Sequence, residues 1–286
     1  MSFGPLGCDQ EPRSPALLII GHGTRNRDGL NQFAVVVDQV AASLPQTLVV
    51  GCFLELAEPT IQQAWLKLIA LGYRRVVVLP LLLFSAGHAK RDIPQQIASL
   101  VRQNPQTSAI MARPLSRHPS LLRRTHRCIE ETLLADNSTT PSATTTLVMV
   151  GRGSFDPCAT TDMRLLSELI FRQFQQGNRE VFSSVETCFY AMAEPRLPAV
   201  LQRVCQRGGV GRVVVHPHLL FRGELLNAIH RQVDETAGQF PAIKFLVGKP
   251  LGPDAEIADS VLGRYRQACG PSGPQRAAPP HLSVPG

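Results

Sequence analysis

The chain contains itself twice. LLIIGHGTRNRD near the start returns as LVMVGRGSFDP in the second half, with Gly21 matching Gly151. CFLELAEPTI, from Cys52, returns as CFYAMAEPRL from Cys188, and VVVLPLLLFSAGH, from Val76, as VVVHPHLLFRGE from Val213. The offsets are 130, 136 and 137 residues, so three blocks recur in one order with small insertions between them. A unit of that length is far beyond a solenoid repeat and reads as a duplicated domain. For 286 residues, two domains of ~120 residues each are also what core size leads one to expect. The copies part company at their loop ends. Where copy one has His22 and His88, copy two has Arg152 and, across a one-residue gap, Glu224. Duplication preserves a scaffold, and this asymmetry places the chemistry in one copy.

Within each copy, strand-like and helix-like patterns alternate. ALLIIGHG is a continuous apolar run ending in glycine, as suits a strand buried on both faces. Leu30, Phe33, Val37, Val40 and Leu44 then recur at helical spacing until Pro45. TLVVGCFLEL predicts a second strand, after which Pro59 is expected to open a helix that ends at Gly72. RRVVVLPLLLF gives a third strand, a helix follows from about Asp92, SAIMARPL gives a fourth strand, and residues 120–134 a last helix. Alternation at these lengths predicts an α/β fold with a parallel sheet covered on both faces. Copy two repeats the order from about Thr145 to about Tyr265. The polar stretch ADNSTTPSATTT separates them. The expected organisation is a flexible leader over 1–14, one domain over 15–135, a linker over 136–146, a second domain over 147–268, and a Pro/Gly-rich tail over 269–286.

Composition removes several function classes. No apolar run approaches the ~20 residues of a membrane helix, and the N-terminus has no secretory pattern. Seven cysteines, odd in number and without C-x-x-C spacing, argue against a disulfide framework or a structural zinc site, and a cytoplasmic location is expected. The net charge of +7 is scattered, with three Tyr and one Trp, so no nucleic-acid signature accompanies it; a basic field equally suits a polyanionic small ligand. Gly21-His22-Gly23 lacks the third glycine of a dinucleotide fingerprint, and there is no P-loop and no G-x-S-x-G elbow. A histidine phosphatase would need arginine where Gly21 stands.

Ligands of open α/β sheets bind beyond the carboxyl ends of the strands. His22, Glu58 and His88 follow the first, second and third predicted strands, so two imidazoles and a carboxylate are expected on one rim. Such a set suits a borderline divalent metal such as Fe²⁺, Co²⁺ or Ni²⁺. Competing roles exist for each. Glu58 could serve the start of the helix after Pro59, a role that Glu194 before Pro195 would share. His216 and His218 alternate along a strand end, where packing or an anion contact is the expected role; His118 and His126 are expected at the surface. Arg152 would anchor an anion if it reaches the cleft.

GHGTR, FLELAEPTI and VVVLPLLLFSAGHAKRDIP together resemble the class II tetrapyrrole chelatases of the CbiX/SirB type, and GRGSFDP with AEPRLP resembles the degenerate half of the long, two-domain members. The likeness covers about residues 15–265. It implies two flavodoxin-like lobes facing a cleft and an ATP-independent lyase that inserts Co²⁺ or Fe²⁺ into sirohydrochlorin, for cobalamin or siroheme. It implies no prosthetic group and no nucleic-acid or membrane partner. His22 and His88 would be the catalytic metal ligands; Glu58, Leu83, Phe84, Ser85, Ala86, Gly87 and Arg152 would bind the polyanionic macrocycle. The rival expectation is a non-catalytic carrier of tetrapyrrole or metal with the same cleft.

Overall fold

Each half of the chain builds one four-stranded parallel sheet. The computed structural model describes residues 14–136, 145–176 and 181–270; most of the expected leader, linker and tail lies outside them. In the first sheet β1 (Ala16–Gly21), β2 (Val49–Phe53), β3 (Arg75–Pro80) and β4 (Ser108–Met111) are ordered β2-β1-β3-β4. In the second, β5 (Thr145–Gly151), β6 (Ser184–Phe189), β7 (Arg212–Pro217) and β8 (Lys244–Val247) are ordered β6-β5-β7-β8. The order is the same, as the duplication requires. The two inner strands of each sheet are buried almost throughout, which is why they read as unbroken apolar runs rather than as alternation.

Helices lie on both faces. On the first sheet, α2 (Ile61–Ala70) and α3 (Ile93–Gln103) cover one side with Trp65, Leu68, Ile93 and Ile97, while α1 (Arg27–Ser43) covers the other with Phe33, Val36 and Val40. On the second, α6 (Leu197–Gln206) and α7 (Glu224–Gln239) cover one side and α5 (Pro157–Gln175) the other. The remaining two helices depart from the expected split of the chain into two self-contained halves. α4 (Pro119–Leu134), the last helix of copy one, packs on β7, β8 and α5 of the second lobe, where Ile129 joins its core. α8 (Ala255–Cys269), the last helix of copy two, lies on α1, β3 and β4 of the first, where Ile257, Val261, Leu262 and Tyr265 join Leu17, Ile19 and Phe33. The lobes exchange their final helices, and α4 and α8 pack against each other where they cross.

The ends of the expected linker are structural. The Asp136 carboxylate is almost fully buried against Arg212, at 3.0 Å, and Lys244, while Thr145 and Thr146 are buried at the start of β5. α8 runs through Cys269, where the tail was expected to begin. The expected helix start at Pro59 is also displaced. Glu58-Pro59 is a cis bond outside the helix, and α2 is capped by Thr60, which accepts from the Gln63 amide at 3.3 Å while the Gln63 side chain accepts from the Thr60 amide at 2.7 Å. At α6 the N-cap is Arg196, one residue beyond Pro195. His118 caps α4 and His126 stacks on Phe174 with ring centroids 4.0 Å apart, so neither is the plain surface residue expected. Among the described residues the cysteines are free, and no helix is long and apolar enough to cross a membrane.

Candidate metal centre

The chain leaves β1 one way, to β2, and later returns on the other side of β1, to β3. Loops diverge at such a switch point and leave a crevice above the carboxyl ends of the strands. His22 stands in it directly after β1. Its backbone is held by the next loop, because Glu55 donates its amide to the His22 carbonyl at 3.1 Å. That approach is possible because position 23 is glycine: φ is +98°, and a Cβ there would lie 1.7 Å from the Glu55 carbonyl oxygen. Copy two keeps the same clasp, with Gly153 at φ +93° against Ala191.

His88 comes from the third loop. It begins a single π turn, His88–Asp92, that leads into α3. Turns of this kind are frequent at functional sites, since the added residue redirects side chains. The π turn places Asp92 beneath the ring, 2.7 Å from His88 Nδ1. With a carboxylate at Nδ1, that nitrogen carries the proton and Nε2 presents its lone pair. His22 is set in the same sense: its Nδ1 lies 3.3 Å from the Gly23 carbonyl, which leaves Nε2 as the acceptor. The two rings are edge to face, 5.0 Å between centroids. Glu55 Oε1 stands 3.4 Å from His22 Nε2. One donor atom from each of His22, Glu55 and His88 lies within 4.8 Å of the others. Donors bound to one ion at ~2.1 Å sit roughly 3.4 Å apart, so small side-chain rotations close the set. Burial first, then the Arg152 guanidinium, hold the His22 imidazole below its ordinary value against the opposing pull of the Gly23 carbonyl and Glu55. A neutral imidazole is the form that binds metal.

Glu58 is not in this group. It is exposed and accepts from the Gln63 side chain at 3.3 Å, and its carboxylate is not among the donors gathered around His22 and His88. Glu55 takes the place expected for it. The repeat itself carried the signal: Glu55 aligns with Ala191, the same kind of asymmetry that marks His22 against Arg152, whereas Glu58 is matched by Glu194.

Above these residues lies a cavity of about 1100 Å³ between the lobes. Leu83, Phe84, Ala86 and Gly87 line it with Arg152; Ser85 does not. The second lobe closes the other side with Phe155, Met192, Leu220 and Phe221. Phe155 is 84% exposed, an apolar surface turned into the opening. Lys90, Arg91 and Arg222 also border it, with Asp92, Asp156 and Glu224, and Lys90 reaches across to Asp156 at 2.6 Å. His218 borders the cavity floor, packed on Phe84 at 5.6 Å between ring centroids, but its ring nitrogens are buried and do not face an anion. The cleft can thus admit a large flat anion and hold a divalent cation beneath it.

The CbiX family model matches residues 16–132 and again residues 146–268. The chain belongs to the CbiX family. A sirohydrochlorin ferrochelatase of Priestia megaterium is 30% identical over 83% of this chain and 84% of its own length. A sirohydrochlorin cobaltochelatase of the same organism is 29% identical over 83% and 74%. Among solved structures, SirB from Bacillus subtilis with Fe³⁺ superposes with a TM-score of 0.75 at 25% identity, covering 89% of this chain and 95% of its own. The complex of a Bacillus subtilis SirB with cobalt gives 0.73 at 25% identity, over 90% and 97%. This CbiX chain therefore has the two-lobed chelatase fold along its described length, with tandem parallel sheets facing a cleft.

Proposed function

We propose that the protein is a sirohydrochlorin chelatase that inserts Co²⁺ or Fe²⁺ into the macrocycle without ATP, in the cytoplasm. The observation that carries the reading is the meeting of His22, Glu55 and His88, with both histidines lining a cavity large enough for a tetrapyrrole. His22 and His88 offer Nε2 lone pairs to the incoming metal, and Glu55 adds a carboxylate oxygen. Two imidazoles and a carboxylate accept Fe²⁺ and Co²⁺ alike. Insertion also removes two pyrrole protons. Glu55, half exposed and beside His22, is placed to accept the two in turn and pass each to solvent. Leu83, Phe84, Ala86 and Gly87 form one wall for the ring, and Arg152 meets a peripheral carboxylate. Carboxylate contacts far from the nitrogens supply binding energy that offsets ring distortion.

The test is an anaerobic incubation with sirohydrochlorin and each metal separately, followed by absorption. Many turnovers per chain are expected, with His22→Ala and His88→Ala each abolishing them while the melting temperature holds. The ratio of the two initial rates assigns the metal. At most one equivalent of metallated product per chain would overturn catalysis in favour of a carrier. Full activity in both histidine variants would overturn the site.

A further inference from the structure

Arg152 stands at the position that His22 occupies in the other copy, and its side chain crosses the cleft to that histidine. Nη1 lies 3.2 Å from His22 Nε2. The other ring nitrogen faces the Gly23 carbonyl, so the group that Arg152 meets is the Nε2 lone pair. A guanidinium has donors only and stays protonated, so Arg152 donates and His22 accepts. This is the same lone pair that the proposed metal would use, and Glu55 Oε1 lies 3.4 Å from it. One lone pair cannot take an N–H and a metal at once. A divalent ion bound to Nε2 would also stand within roughly 4 Å of a permanent positive charge, a strongly unfavourable distance in a half-enclosed site. Arg152 is exposed on a long stem and free to swing.

We infer that Arg152 is an interlock: in the empty cleft it fills the coordination position at His22, and it leaves when a carboxylate of the tetrapyrrole draws it away, so that substrate completes the metal site. This rests on the reading of His22, Glu55 and His88 as the metal ligands. Planar, two-pronged carboxylate recognition is what a guanidinium does best, so the competing partner is stronger than a neutral imidazole. The degenerate copy thus retains a working part. Its lost histidine became the group that holds the surviving one closed.

The experiment is a Co²⁺ titration at fixed pH without tetrapyrrole, read by visible absorption, on wild type, Arg152→Gln and His22→Ala. Arg152→Gln is expected to bind Co²⁺ about tenfold tighter or more, from removal of one nearby charge. His22→Ala is expected to abolish binding. Metal-free sirohydrochlorin, followed by quenching of its own fluorescence, should bind Arg152→Gln about tenfold more weakly. Equal Co²⁺ affinities in wild type and Arg152→Gln, with binding lost in His22→Ala, would overturn the interlock and leave the metal site standing. Co²⁺ binding unaffected by His22→Ala would overturn the metal site itself. Tighter metal binding with unchanged tetrapyrrole affinity would overturn release by the substrate carboxylate.

Discussion

At the residue scale, the centre depends on how two loops are pinned together. His22 and His88 were legible as sequence, because each follows a strand and neither is matched in copy two. Glu55 was hidden because FLEL reads as a strand continuing through it, whereas β2 stops at Phe53 and the chain turns back to pair with His22. Only the contact reveals which carboxylate faces the imidazoles. Glu55→Gln is therefore expected to lower the chelation rate by roughly 10²-fold, as loss of a positioned base does, while Glu58→Gln changes rate and melting temperature little. Paired initial-rate assays and thermal melts check this; equal losses would leave Glu55 a bystander. The glycine clasp gives a second comparison. Gly23→Ala and Gly153→Ala should each destabilise the fold by about 1–3 kcal/mol, because each forces a side chain into a backbone that cannot admit it. Gly23→Ala alone should also weaken Co²⁺ binding, since it displaces Glu55. Denaturant titrations with metal titrations on both variants separate the two effects.

At the element scale, strands and helices were mostly readable from periodicity, while helix starts and special turns were not. The Thr60–Gln63 capping box was present in the sequence but overshadowed by Pro59, which serves the turn before it. The π turn at His88 has no compositional mark at all. The carboxyl end of β7 and the residue after it carry a further cost. His216 and His218 are completely buried, and neither ring nitrogen of either finds a hydrogen-bond partner among the described residues. Copy one places Leu79 and Leu81 at the same register, both buried, so the scaffold accepts leucine there. Burial holds His218 at about 3 and His216 well below its ordinary value of 6.5. In the unfolded chain both protonate near 6.5. As pH falls below that, the unfolded state takes up protons that the native state refuses, so stability declines, and His218 stops adding to the decline below about 3. Moving from pH 7.5 to 5.5 should cost about 1.4 kcal/mol for each histidine. The double variant His216→Leu/His218→Leu should lose this pH dependence in urea denaturation measured at both values. An unchanged dependence would show that the rings protonate inside the fold.

At the scale of the whole molecule, repeat and alternation foretold two parallel sheets, but nothing in either copy foretold that their last helices change places. A helix carries the same apolar face whichever sheet receives it; the choice is made by connections and contacts beyond the reach of local pattern. The exchange has a direct test. Residues 1–136 produced alone should lack the α8 face of the first core, melt without a sharp transition and fail to bind Co²⁺. Produced together with residues 145–286, they should co-elute as one species and recover binding. Cooperative melting and metal binding by the first half alone would count against mutual completion. The same crossing sets the order of events during biosynthesis. The first lobe is covered by α8, which ends about 135 residues after its own α4 has been made. At ~5–20 residues per second, that is roughly 7–27 s in which Leu17, Ile19 and Phe33 lack their final cover on a nascent chain. The half that holds His22, Glu55 and His88 is synthesised first, yet it waits on a helix from the second half for its cover.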